Sequence, residues 1–143
     1  MKIEGRCHCG DISYMLDWPG GDPGIPLRAC SCSFCAMHGA AYASHRGARL
    51  DAVVNTWSDV SRYRFGTKTA EFHVCSRCGG IPFVTCLIEG RLYAVVNVNT
   101  FVGIDRSTFC TTVTNFSDET TEKRLDRRAR TWIPNVIIRE QEC

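Results

Sequence analysis

Seven of the chain's ten cysteines fall into three tight groups, Cys7-x-Cys9, Cys30-x-Cys32-x-x-Cys35 and Cys75-x-x-Cys78. No other feature constrains the fold as strongly. Clustered thiols either form disulfides in an oxidising compartment or ligate a metal in a reducing one. The opening residues, Met1-Lys2-Ile3-Glu4-Gly5-Arg6, contain no apolar signal core, and no run has the length of a transmembrane helix. C-x-C and C-x-x-C spacings without an export signal read as zinc ligands of a cytoplasmic protein. Zinc takes four ligands at a closed structural site and three plus an open position at a catalytic one. The cysteines divide as two, three and two. Cys7, Cys9, Cys75 and Cys78 then make one closed four-sulfur site, and Cys30, Cys32 and Cys35 are left with three thiolates and an open position. Two zinc ions per chain are expected.

Around these groups the chain reads as short strands. Residues 2–7 and 11–16 form two strands joined at His8-Cys9-Gly10, with Ile12, Tyr14 and Leu16 on one face. The stretch from Trp18 to Pro26 holds three prolines and three glycines and is a loop. Residues 27–29 lead as a strand into the cysteine triplet. The triplet itself must turn tightly, because alternate strand residues point to opposite faces and Cys30 and Cys32 would diverge. Further strands are expected over 40–44, 49–54, 58–65, 70–74, 81–87, 92–98 and 109–114, with a turn at Gly66 and a hairpin at Glu89-Gly90-Arg91. Cys75-Ser76-Arg77-Cys78-Gly79-Gly80 ends a strand as a zinc knuckle whose glycines permit the turn around the sulfurs. Only 118–129 looks helical, acidic early and basic late. The fold class is mainly β, short antiparallel strands pinned by zinc. At 143 residues the chain is expected to be one domain.

Three motifs in order, Cys7-His8-Cys9-Gly10, Cys30-Ser31-Cys32-Ser33-Phe34-Cys35 and Cys75-Ser76-Arg77-Cys78-Gly79, together resemble the family of glutathione-dependent formaldehyde-activating enzymes, whose domain is shared by centromere protein V. Val96-Asn97-Val98-Asn99 and then Gly103-Ile104-Asp105 resemble that family's late strand and tail. The resemblance spans about 3–110 and leaves 111–143 as a C-terminal extension. It implies a β-tent fold around a structural zinc on Cys7, Cys9, Cys75 and Cys78, and a catalytic zinc on Cys30, Cys32 and Cys35. It also implies S-(hydroxymethyl)glutathione synthase-like chemistry, with glutathione and formaldehyde as partners. The chain departs from the family just after the triplet, where members often carry basic residues and this sequence has Ala36-Met37.

The residue types fit that chemistry. Three thiolates make zinc a poor Lewis acid but suit it to hold a fourth sulfur, since a coordinating thiol loses its proton. A thiolate so held attacks a carbonyl, forming a carbon–sulfur bond, and the reverse breaks one. The expected function is therefore a carbon–sulfur lyase acting on a small thiol and a small carbonyl. The competing expectation is a non-catalytic zinc module for protein or nucleic acid, with both zinc sites structural and His38 closing the triplet as its fourth ligand. The net charge of +2 gives no support for nucleic acid or an anionic membrane. His8 reads as solvent-facing or a donor to sulfur, and His45 and His73 as strand-surface residues. Cys86 and Cys110 read as small buried hydrophobes, and Cys143 has no assigned role. Trp57, Tyr63, Phe72 and Phe83 read as core aromatics, with a pocket lining as the alternative. The basic stretch Lys123-Arg124-Leu125-Asp126-Arg127-Arg128-Ala129-Arg130 reads as a solvated helix face, with a nucleic-acid patch or an anchor for substrate carboxylates as alternatives.

Overall fold

The computed structural model describes residues 1–20, 25–104 and 109–141. Part of the proline–glycine loop, Asp105 of the late motif and Cys143 lie outside the described residues. The strands are β1 (Lys2–Arg6), β2 (Ile12–Asp17), β3 (Pro26–Cys30), β4 (Ala41–Ala43), β5 (Arg49–Val54), β6 (Val60–Tyr63), β7 (Glu71–Cys75), β8 (Phe83–Ile88), β9 (Arg91–Asn97), β10 (Cys110–Thr114) and β11 (Asn135–Glu140). The helices are α1 (Ser33–His38) and α2 (Thr121–Thr131). Single 3-10 turns stand at Trp57–Asp59 and Val98–Thr100. The protein is mainly β, as expected. Among the described residues no helix is long and apolar enough to cross a membrane.

The strands form a four-stranded sheet in the order β1-β2-β5-β11 and a seven-stranded sheet in the order β10-β3-β4-β9-β8-β7-β6. Neighbours are antiparallel except for β10 beside β3 and β11 beside β5. Period-two alternation explains the layering. In β2, Ile12, Tyr14 and Leu16 are buried, and β5 buries Leu50, Ala52 and Val54 opposite them. These pack with Leu27, Phe83 and Val96 of the large sheet into the main core. The opposite face of the large sheet carries a second cluster, with Tyr42, Phe72, Val84, Val95 and Trp132, against which Phe34 of α1 and Leu125 of α2 lie. Val95 and Val96, adjacent in β9, thus serve different layers.

Several expectations are corrected. The tight turn in the triplet is a helix, α1. Its apolar periodicity is invisible over six residues. Residues 58–65 are not one strand, because the Trp57–Asp59 turn precedes β6. The helical reading of 118–129 shifts to Thr121–Thr131, and β11 was not expected at all. β11 is short, mostly exposed and paired to β5 across more than eighty positions of chain, so its order comes from a partner that local sequence does not announce. His73 is not a surface residue. It is 3% exposed, with its ring near Phe83, and burial pushes its imidazole down to about 4. Cys86 is buried as expected, whereas Cys110 is exposed on the edge strand β10. Phe72 and Phe83 are core residues, Trp57 packs at the margin of the core, and Tyr63 is exposed.

Candidate metal and substrate site

Two turns, one from each sheet, carry the first cysteine group. Cys7 follows β1, and its backbone closes the turn through Gly10 N–H donating to the Cys7 carbonyl at 3.1 Å and Cys7 N–H to Ile12 at 2.9 Å. Cys75 ends β7, with Gly79 N–H donating to its carbonyl at 2.8 Å and its own N–H to Gly80 at 2.9 Å. Gly79 has φ of +80°, and a side chain on Gly80 would lie 2.9 Å from Cys7 Cβ. The paired glycines therefore permit both the turn and the close approach of the two segments. The result is four sulfurs, of Cys7, Cys9, Cys75 and Cys78, all within 4.8 Å of one another. Cys7 and Cys9 are 3.8 Å apart, and Cys9 and Cys75 are 3.5 Å apart. Disulfides need about 2 Å, whereas a tetrahedral metal with sulfurs at roughly 2.3 Å needs sulfurs about 3.8 Å from each other. The donor set fits zinc. Burial works against the Cys78 thiolate, yet N–H groups of Cys9 and Gly80 and the neighbouring thiols draw it down to about 6.

The second group forms where β3 gives way to α1. Cys30 ends β3, Cys32 is the N-cap of α1, and Cys35 lies one turn in. The Cys32 sulfur accepts from Cys35 N–H at 3.4 Å, taking the place of a serine or aspartate oxygen at the cap. That turn brings Cys35 back under Cys32. Gly39, with φ of +61°, ends the helix and donates to the carbonyls of Ala36 and Cys35. Ser31 is fastened to β10 through its N–H and hydroxyl, both donating to the Thr114 carbonyl. The sulfurs of Cys30, Cys32 and Cys35 consequently lie within 4.8 Å of one another. Cys35 donates to Cys30, and together with the Cys32 amide and Arg124 this draws Cys30 down to about 5 against the effect of burial. The same sharing and burial push Cys35 up. Buried Tyr42 stays a neutral phenol, its Oη 3.3 Å from Cys35 Sγ. Three soft sulfur donors within reach of one another fit a thiophilic cation such as zinc.

His38 is not in this group. Its ring lies 4.5 Å from that of Phe34, and it edges a separate depression with Arg6, Cys7 and His8. His8 and His45 are exposed or part-exposed loop residues, and His45 Nδ1 accepts from Gly47 N–H.

The three-sulfur group opens onto a cavity of about 400 Å³. Phe65, Phe72, Val84, Val95 and Trp132 are among its apolar lining. Four arginines, Arg28, Arg124, Arg127 and Arg128, complete the lining. The solvated-face expectation for 123–130 therefore holds for Lys123 and Arg130, which are exposed, and fails for the arginines between them. Arg128 is only 7% exposed. From the sequence, an anchor for substrate carboxylates is only an alternative for this stretch. The signal available was the i, i+4 spacing of Arg124 and Arg128, which puts both on one helix face.

Two separate cysteine clusters that could hold metal ions, in a two-sheet β fold with one cluster facing a cavity, define a mainly β protein with donor sets suited to zinc. Comparison with known proteins narrows this further. Residues 2–117 match the family described as glutathione-dependent formaldehyde-activating enzyme, and the chain belongs to that family. A Halomonas elongata protein, whose name assigns it provisionally as a glutathione-dependent formaldehyde-activating enzyme, is 32% identical over 91 residues, covering 59% of this chain and 56% of the relative. The match thus spans little more than half the length of that curated relative. A crystal structure of a Rhodobacter sphaeroides protein is similar with a TM-score of 0.56 and 28% identity, covering 76% of this chain and 99% of the other.

Proposed function

We propose that the protein is a carbon–sulfur lyase that joins a small thiol such as glutathione to formaldehyde or a related small carbonyl, working at Cys30, Cys32 and Cys35. Family membership supports a function related to glutathione and formaldehyde. The observation that carries the reading is the contrast between the two clusters. Four sulfurs complete a tetrahedron by themselves at Cys7, Cys9, Cys75 and Cys78, while three sulfurs face a cavity of about 400 Å³. The first cluster is assigned a structural zinc and the second a catalytic one.

A zinc ion held by Cys30, Cys32 and Cys35 would supply a place for a fourth, ionised sulfur beside the cavity. The protein's own groups do the rest. The neutral Tyr42 hydroxyl donates to Cys35 Sγ and fixes that ligand. Phe65, Phe72 and Trp132 keep bulk water from the sulfur, which raises its nucleophilicity relative to solvent. In the reaction the thiol gives its proton to solvent and its sulfur pair forms the bond to the carbonyl carbon. The carbon–oxygen π pair moves to oxygen, which takes a proton, so thiol and carbonyl add without any redox partner. A reducing compartment such as the cytoplasm is the setting this reading supports, because seven ligand thiols would have to stay reduced.

Cobalt substitution tests this. In the cobalt-loaded protein, glutathione or another small thiol is expected to change the sulfur-to-cobalt charge-transfer band. The change should persist in His38→Ala and vanish in Cys32→Ser. A band unmoved by saturating glutathione and cysteine would favour the alternative of a non-catalytic module.

A further inference from the structure

We propose that Arg124 and Arg128, on the cavity face of α2, form an anchor for a carboxylate of the bound thiol, so that the segment beyond the family match selects anionic thiols. This rests on the thiol-binding reading above. The match ends at residue 117, and α2 begins at Thr121.

The observations concern two arginines with no carboxylate in contact. Arg128 is 93% buried by its 7% exposure, yet its Nε has no hydrogen-bond partner. Its Nη1 donates to Thr69 Oγ1 at 2.9 Å and lies 3.5 Å from Cys86 Sγ, and its guanidinium sits 4.9 Å from the Trp132 ring centroid. Arg124 donates from Nη2 to the Phe116 carbonyl at 2.8 Å, and its Nε is also buried without a partner. Among the described residues neither has a carboxylate within 4.0 Å, and no aspartate or glutamate lines the cavity. Arg127, one position away, shows what satisfaction looks like here. Both of its forked nitrogens donate to Glu119, and it stacks over Phe116 at 3.6 Å. Glu119 is thereby occupied.

Burying the Arg128 guanidinium without a carboxylate in contact is unfavourable unless an anion joins it. Trp132 and the Thr69 contact hold Arg128 in place, so the cation is prepared before the ligand arrives. A guanidinium presents parallel N–H groups that match a carboxylate's two oxygens. The three cysteines and the two arginines line the same cavity, so a thiol with its sulfur at the cysteines can present a carboxylate to the arginines.

The test is calorimetric titration of the zinc-loaded full chain with glutathione, its diethyl ester, which keeps the thiol and loses both carboxylates, and S-methylglutathione, which keeps the carboxylates and blocks the thiol. Wild type is expected to bind glutathione about ten- to a hundredfold more tightly than the diester, the range for one charge-assisted pair. Arg128→Gln and Arg124→Gln should each cut that preference about tenfold while moving diester affinity less than about twofold. S-methylglutathione should lose affinity in both variants. If Arg128→Gln does not fold, Arg124→Gln and the wild-type acid–ester pair carry the same comparison. Equal affinity of wild type for acid and ester overturns the anchor, and does so with thiol binding intact if both still shift the cobalt band. Arginine-dependent binding of S-methylglutathione with no thiol shifting that band supports the anchor and removes the lyase reading instead.

Discussion

At Gly80 the absence of a single carbon lets the two cysteine-bearing turns meet. A methyl group there would stand 2.9 Å from Cys7 Cβ and 3.3 Å from Cys7 Cα, and backbone cannot yield as a flexible side chain would. Gly80→Ala should therefore destabilise the protein by about 1–3 kcal/mol, the usual cost of forcing extra volume into a packed place. It should also loosen the four-sulfur cluster specifically. Urea unfolding gives the first quantity, and the rate of zinc loss to a chelator gives the second. An alanine variant with unchanged metal retention would show that Cys7 has more room than the structure gives it. The motif Cys78-Gly79-Gly80 already pointed to a tight turn at this place. That the second glycine answers to Cys7, more than seventy positions earlier, could not be read from the motif.

Among the elements, α2 is the one whose meaning changed most between sequence and structure. Its capping is local and legible, with Thr120 accepting from Lys123 N–H and arginines in the last turn. Which face it buries is set by the sheet it covers. The Arg127–Glu119 pair pins its second half to the preceding loop, with side chains 16% and 18% exposed. The guanidinium beside Glu119 holds that carboxyl below the ordinary glutamate range. Because the folded value is depressed, the pair stabilises above the unfolded value of about 4.3 and this contribution is lost as pH falls through the lower, folded value. Glu119→Gln should cost about 1 kcal/mol at pH 7, the scale for a partly solvated but bidentate pair. The gap between wild type and variant should narrow on acidification below pH ~4. Chemical denaturation at several pH values measures it, and a gap independent of pH would mean the contact acts through packing alone.

For the molecule as a whole, the four-sulfur cluster joins the β1–β2 turn of the small sheet to the β7–β8 turn of the large one. Structural zinc in small modules contributes roughly 10 kcal/mol or more to folding. Two zinc ions per chain are expected from elemental analysis of unstripped protein, with one leaving first under mild chelation. The first to leave should be the ion at Cys30, Cys32 and Cys35, which face the cavity, and the fold should survive its loss. Cys9→Ser should lower the melting temperature severely, and Cys32→Ser only slightly, since a serine oxygen can still cap α1. Equal melting losses in the two variants, or a single zinc that cannot be supplemented, would remove the division of roles.

The sequence by itself determined the cysteine groups and the β class, because these depend on spacing within a few residues, and counting the groups as two, three and two gave the partition that the fold brings together. Cys7 and Cys9, or Cys75 and Cys78, are held by one turn each, and alternation along β2 states which face is buried. The short strands around the hairpin at Glu89-Gly90 were equally legible. Only the tertiary structure decided what lies beside those ligands. α1 is too short to show a period, and its existence depends on the Cys32 cap and on packing of Phe34 against Phe72. β11 takes its order from β5, and His73 is buried by strands on either side and by Phe83. Arg128 looks like any solvated helix cation until the large sheet, Trp132 and Cys86 close around it. Charge and spacing are local properties of a chain, but burial belongs to the partner surface, and the arginine-lined cavity is made of partners distant in sequence.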